Sequence, residues 1–151
     1  AEGLTKGCGE DGNCGGRGGG VHIEGGLLYL DGVSFERNKA KAHQVRDEYA
    51  KGGGVSVRGS SRVEAKGCSF VGNSASAVVA SSAGIGGGAY FDASTATLRD
   101  CLFDTNRADG RDLFGQLASF GGGLATRGPS MATTISDTRF IGNSVRHGGS
   151  G

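Results

Sequence analysis

Four copies of one pattern, spaced about 34 residues apart, decide what this chain can fold into. Glycine triplets begin at Gly18, Gly52, Gly86 and Gly121, at intervals of 34, 34 and 35 residues. Each is followed by a short segment that reads as a strand: VHIE at 21–24, VSVR at 55–58, AYFD at 89–92 and LATR at 124–127. A Phe-x-x-Asn motif then follows at Phe35/Asn38, Phe70/Asn73, Phe103/Asn106 and Phe140/Asn143, with 17, 18, 17 and 19 residues from first glycine to phenylalanine. Two linked landmarks recurring together are the signature of a repeat architecture.

Between the landmarks the apolar period is two, which places alternate side chains on opposite faces of a strand. The first strand buries Val21/Ile23, Val55/Val57, Ala89/Phe91 and Leu124/Thr126, and turns His22/Glu24, Ser56/Arg58, Tyr90/Asp92 and Ala125/Arg127 outward to water. A second strand carries Leu28/Leu30, Val63/Ala65, Ala96/Leu98 and Thr133/Ile135, and a third carries Val33/Phe35, Cys68/Phe70, Cys101/Phe103 and Thr138/Phe140. Gly32, Gly67, Asp100 and Asp137 stand between the second and third strands, where Gly and Asp tolerate bend geometry. One such unit cannot bury its apolar face alone, but units stacked at the ~4.8 Å strand spacing can. The expected fold is therefore all-β, a parallel β-helix (solenoid) of about four coils. Phe35, Phe70, Phe103 and Phe140 then form a ring column, and Asn38, Asn73, Asn106 and Asn143 an amide ladder.

The paired motifs GGGV at 18–21 with FERN at 35–38, GGGV at 52–55 with FVGN at 70–73, GGGA at 86–89 with FDTN at 103–106, and GGGL at 121–124 with FIGN at 140–143 resemble the repeats of chlamydial-type polymorphic outer-membrane proteins. They are also similar to the wider class of secreted right-handed β-helix proteins. The resemblance covers about Gly18 to Val145 and implies a right-handed solenoid used as a passenger scaffold, often adhesive. The 151 residues contain no autotransporter barrel, which is where they depart from that family. Residues 1–17 read as a Gly/Cys-rich cap or tail. Residues 18–145 are the repeats (18–51, 52–85, 86–120 and 121–145), and 146–151 are the start of a further coil or a tail.

From each asparagine to the next triplet lie 39–51, 74–85 and 107–120, read as 12–14-residue excursions from one edge, the first of them capable of a short helix. In the third, Leu113, Phe114, Leu117 and Phe120 either fold back to cover the flank or form a partner-binding patch. The open ends of a short stack are the other expected contact surfaces, because they expose unpaired strand backbone.

Composition excludes several classes. Glycine is 32 of 151 residues but proline is 1, so collagen is ruled out. An apolar fraction of 36% argues against a broad layered core, no run is long enough to span a membrane, and a net charge of +1 gives no case for nucleic acid. Cys68 and Cys101 occupy one register on consecutive coils and suit either a disulfide or two buried thiols. Cys8 and Cys14 bracket a loop that reads as a small disulfide-closed turn, with a metal pair as the alternative. An even cysteine count favours an extracytoplasmic setting: secreted, cell-surface, or an oxidising lumen.

Outward position four reads Glu24, Arg58, Asp92, Arg127, an alternating charge ladder that Coulomb pairing explains without catalysis. Glu10 and Asp11 lie in a Gly-rich loop read as solvated, with Ca²⁺ binding as its alternative, and His22, His43 and His147 form no cluster. The expectation is a non-catalytic scaffold with no catalytic residue, cofactor or metal. It docks to other subunits, further coils or a glycan through its ends and insertion edge. The competing expectation is a fragment of a polysaccharide lyase, hydrolase or epimerase, or an adhesin passenger segment.

Overall fold

The computed structural model describes residues 2–3, 16–42, 49–77, 82–92, 95–110, 119–128 and 132–147. Among them every regular element is a strand, and every strand pairing is parallel. The pairings join equivalent positions of successive repeats. Phe35 pairs with Phe70, Phe70 with Phe103, and Phe103 with Phe140.

One six-stranded sheet holds the first and second strands of each repeat. In the first two repeats they are continuous, Val21–Asp31 and Val55–Lys66, joined through an irregularity between Glu24 and Gly26 rather than broken by the expected turn. In the last two they separate, into Ala89–Asp92 and Thr95–Arg99, then Leu124–Arg127 and Thr133–Ser136. The third strands, Ser34–Glu36, Ser69–Val71, Leu102–Asp104 and Arg139–Ile141, form a four-stranded sheet.

The stretches read as excursions are largely sheet. Each begins in a fourth strand, Lys39–Ala42, Ser74–Ala77 or Arg107–Gly110, and these stack with Glu2–Gly3 and Ser144–His147 in a five-stranded sheet. The first two end in Tyr49–Lys51 and Ala83–Ile85, which pair with each other. Alanine permits this close layering: Ala42, Ala50, Ala75 and Ala77 form a small core of their own. The ends of 39–51 are thus strand rather than helix, because KAKA and YAK turn their alanines inward with period two. Residues 43–48 lie outside the described residues.

The main core is the ladder interior, including Val55, Val57, Val63, Phe70, Phe91, Leu98 and Phe103. Rings Phe35–Phe70, Phe70–Phe103 and Phe103–Phe140 stack at 5.1, 4.4 and 4.8 Å with interplanar angles of 10°, 4° and 10°. The strand spacing sets that separation. The asparagine column is bonded throughout. Asn73 Nδ2 donates to Asn106 Oδ1 at 3.0 Å and to Phe35 O at 2.8 Å, and the Asn73 N–H donates to Asn106 Oδ1 at 3.0 Å. Asn38 bonds Asn73, and Asn106 bonds Asn143, in the same way.

The glycine triplets are explained position by position. The first residue has left-handed backbone, with φ of 62° at Gly52 and 64° at Gly86. The second lies against the fourth strand, so that a Cβ on Gly53 would overlap the Gly87 carbonyl and the Ser74 backbone. The bend column Gly32, Gly67, Asp100, Asp137 is also left-handed, at φ 62°, 60°, 52° and 50°. A second left-handed column, Arg37, Gly72, Thr105 and Gly142, sits one residue before each ladder asparagine.

The last layer is open. Ile135, Phe140 and Val145 are 44%, 47% and 39% exposed, whereas their partners one repeat earlier, Leu98, Phe103 and Ala108, are fully buried.

Candidate functional site

The sharp turn at each triplet sets two columns of side chains facing each other. One column is the residue immediately before each triplet. Arg17 bridges to Lys51, Lys51 pairs with Ile85, and Ile85 bridges to Phe120. The other is the outward face of the first strands, where His22, Ser56, Tyr90 and Ala125 are stacked in register. Beside it Glu24 pairs with Arg58 and Asp92 with Arg127, while Arg58 Nε lies 3.8 Å from Asp92 Oδ2. The alternating charge ladder read from the sequence therefore exists as a spatial column.

Between the columns runs a cleft of about 370 Å³, with Tyr49, Ile85 and Phe120 on one side and Tyr90, Ala125 and Arg127 on the other. This overturns one expectation. The outward face of the first strand is not solvated at Ser56 and Tyr90, which are both fully buried. The strands Tyr49–Lys51 and Ala83–Ile85 form a two-stranded sheet of their own, from which the Lys51 side chain lies over the Tyr90 ring. Ser56 Oγ is buried without a hydrogen-bond partner among the described residues, and the Tyr90 hydroxyl is buried beside Asp92 and Arg127.

Lys51 is the distinctive cation here. Its ammonium lies 5.2 Å from the Tyr49 ring centroid and 5.3 Å from that of Tyr90, within cation–π range. Burial first, then Arg58 and Arg17, lower its pKa to about 8. The Tyr90 phenol is pushed up to about 12, by burial first and then by the negative charge of Asp92. Burial also holds His22 below its ordinary value, against a 3.1 Å hydrogen bond between its Nδ1 and the Ser56 carbonyl. Burial, reinforced by Arg58, lowers Arg17. Of these charged residues Arg127 lines the cleft, while Arg17, Lys51, Arg58, Glu24 and Asp92 act electrostatically on one another beside it.

The other residues singled out from the sequence fall elsewhere. Phe120 is 48% exposed and forms the rim of the cleft, whereas Leu113, Phe114 and Leu117 lie outside the described residues, as do Cys8 and Cys14. Cys68 and Cys101 are buried free thiols on adjacent repeats. Cys68 Sγ donates to Lys66 O at 3.3 Å and Cys101 Sγ to Arg99 O at 3.2 Å, the carbonyls of their own bends. Burial pushes the Cys101 thiol up. Among the described residues no three His, Cys, Asp or Glu side chains converge as a metal site.

Lys51, Tyr49 and Tyr90 were not legible as a site. Lys51 and Tyr49 fall in a stretch read as an excursion, and Tyr90 in a column read as solvated. The available signal was the constant offset of Arg17, Lys51, Ile85 and Phe120 from the triplets, which makes them a column as surely as the phenylalanines. A second cleft, of about 290 Å³, lies on the outward face of the second strands between Tyr29, Arg62, Lys66 and Arg99. There Arg62 is paired with Glu64 at 2.6 Å. The chain matches no protein-family model, no curated protein and no solved structure.

Proposed function

We propose that the chain is a segment of a right-handed parallel β-helix that serves as a non-catalytic scaffold, docking end-on to further coils of the same geometry in an extracytoplasmic assembly. Parallel pairing of residues one repeat apart in each of several sheets supports the solenoid. The right hand is that of about 98% of parallel crossover connections. The observation that carries the docking role is the open last layer. Its phenylalanine, isoleucine and valine continue three interior columns into solvent, at 47%, 44% and 39% exposure. A strand edge with apolar columns running out of it is a template for another layer. The repeat motif supplies the matching shape, a ring over a ring and an amide over an amide. The extracytoplasmic setting rests on the even cysteine count alone.

Sedimentation velocity across a concentration series tests the docking. The chain associates through its last layer, and Ile135→Lys, which places a charge on that face, returns it to monomer. A monodisperse monomer at every concentration, or association indifferent to Ile135→Lys, would overturn the reading. Release of reducing ends from oligouronides, with or without Ca²⁺, would overturn its non-catalytic part.

A further inference from the structure

Just after the bend between the second and third strands the core needs only a small inward side chain, as Val33 supplies, yet repeats two and three place a thiol there. The residues that follow Cys68 and Cys101, Ser69 and Leu102, are in register, and the Leu102 N–H donates to the Cys68 carbonyl at 2.9 Å. The column reads Val33, Cys68, Cys101, Thr138, so sulfur neighbours sulfur only between repeats two and three. Both side chains belong to the main core, at 1% and 2% exposure. Neighbouring strands lie about 4.8 Å apart, inside the roughly 4.4–6.8 Å of Cα separation that a disulfide spans. Each thiol donates to the carbonyl of its own bend, and Cys101 Sγ also lies 3.6 Å from Ala65 O, a carbonyl of the repeat that holds Cys68. The two sulfurs are thus placed to join, but nothing from solvent reaches them. Exchange with an external disulfide needs an accessible thiolate, and burial also disfavours the thiolate of Cys101.

We propose that Cys68 and Cys101 are a redox staple whose state is set while the chain folds and is then sealed by the core. A chain that folds beside a small disulfide oxidant closes a bond between repeats two and three. One that folds under reducing conditions keeps a dithiol that the finished solenoid shields. In the first case one cysteine thiolate attacks the oxidant's disulfide, forms a mixed disulfide and releases one thiolate. The other cysteine thiolate attacks the chain's sulfur in that mixed disulfide, forms the Cys68–Cys101 bond and releases the second. The two protons lost by the cysteines pass through water to the two released thiolates, so the chain gives up two electrons and two protons and the oxidant becomes two thiols. The bond ties positions 33 residues apart, which restricts the unfolded chain. The staple depends neither on end-on docking nor on the scaffold being non-catalytic.

Refolding of the full chain tests it. The chain is unfolded in urea with reductant, then diluted either into mixed oxidised and reduced glutathione or into reductant alone, alkylated in denaturant and digested with trypsin. Cleavage after Lys66, Arg99 and Arg107 leaves Cys68 on 67–99 and Cys101 on 100–107, while Cys8 and Cys14 share 7–17. Mass spectrometry finds 67–99 joined to 100–107 after oxidative refolding, and both peptides alkylated after reductive refolding. The chain refolded under reduction is next moved into the same glutathione mixture without urea. There it links at least about tenfold more slowly than the refolding chain, because its sulfurs are reached only through opening. In a Cys8→Ser/Cys14→Ser background, the linked form unfolds at a higher urea concentration than the dithiol. Cys68→Val and Cys101→Thr borrow the residues that repeats one and four carry at this position, so each folds and neither forms the link. Three results sink the proposal: no joined 67–99 and 100–107 after oxidative refolding, a folded dithiol that links as fast as the refolding chain, or a linked form no more resistant to urea than the dithiol.

Discussion

Replacing Asn106 with alanine removes the central rung of the amide ladder, and the cost can be worked from its partners. Asn106 Oδ1 accepts from the Asn73 N–H and from Asn73 Nδ2, both at 3.0 Å. Its own Nδ2 donates to Phe70 O at 2.7 Å and to Asn143 Oδ1 at 2.9 Å. In the alanine variant Asn73 Nδ2 retains Phe35 O, and Asn143 Oδ1 retains the Asn106 N–H. One backbone group, the Asn73 N–H, loses its partner, and the Phe70 carbonyl, which lies within the parallel ladder, loses a second donor, in residues at most 1% exposed. At about 1–3 kcal/mol for the orphaned donor and about 1 kcal/mol for the lost hydrogen bond, the expected destabilisation is about 2–4 kcal/mol. Asn143→Ala breaks the equivalent bonds in the last layer, where water reaches the vacated place, and should cost about 1 kcal/mol. Asn106→Asp is nearly isosteric and keeps the acceptor. It nevertheless turns an oxygen toward Phe70 O and buries a charge, so it should be no better than alanine. Urea unfolding followed by far-ultraviolet circular dichroism provides the midpoints. Equal losses at 106 and 143, or a variant at 106 within about 1 kcal/mol of the parent, would refute the reasoning.

Phe103→Ala, in the middle of the ring stack, should lose about 3–5 kcal/mol, and the half-exposed Phe140→Ala far less; the same urea titration separates them. Thr105 holds a left-handed φ of 52°, which a β-branched residue adopts only under strain, so Thr105→Gly should leave the melting temperature unchanged or raise it despite glycine's entropic penalty. Lys51 has a folded pKa of about 8, below its ordinary value, so the unfolded chain binds the extra proton above pH 8 and stability should rise from about pH 8 to pH 10. Tyr90, held up near 12, reverses the sign above pH 10, because the unfolded phenol ionises first. Urea midpoints against pH should therefore peak near pH 10, and Lys51→Met should flatten the rising limb. Cys68 and Cys101 should resist iodoacetamide in the folded chain and react on unfolding, as read by the masses of their tryptic peptides.

The features legible in the sequence were those in which one position demands one chemistry. A left-handed turn demands Gly or Asp, as at Gly67 and Asp100, and a buried ladder rung demands an amide, as at Asn73. Stacking demands like over like, as at Phe70 and Phe103. The fourth strands were missed because KAKA, SASA and RADG carry only alanine or glycine inward. That signal is too weak to stand out from polar loop, yet it is the right size for a thin second core. The cleft was missed for a different reason. Lys51 and Tyr90 belong to separate strands, and only the Lys51 side chain, laid over the buried Tyr90 ring, brings them together. Position within the repeat was readable, but which columns face each other depends on how sharply the triplet folds the chain back.

The amide ladder also has a direction. Each bond between two ladder side chains runs from an earlier repeat to a later one, Asn38 to Asn73, Asn73 to Asn106, Asn106 to Asn143, while the same amides donate back only to backbone carbonyls. A column of aligned dipoles has unlike poles. Two molecules meeting by the same pole would set donor against donor or acceptor against acceptor, whereas opposite poles interlock. Association along this axis is therefore heterologous, without a two-fold to close it, and any polymer it forms has distinguishable growing tips.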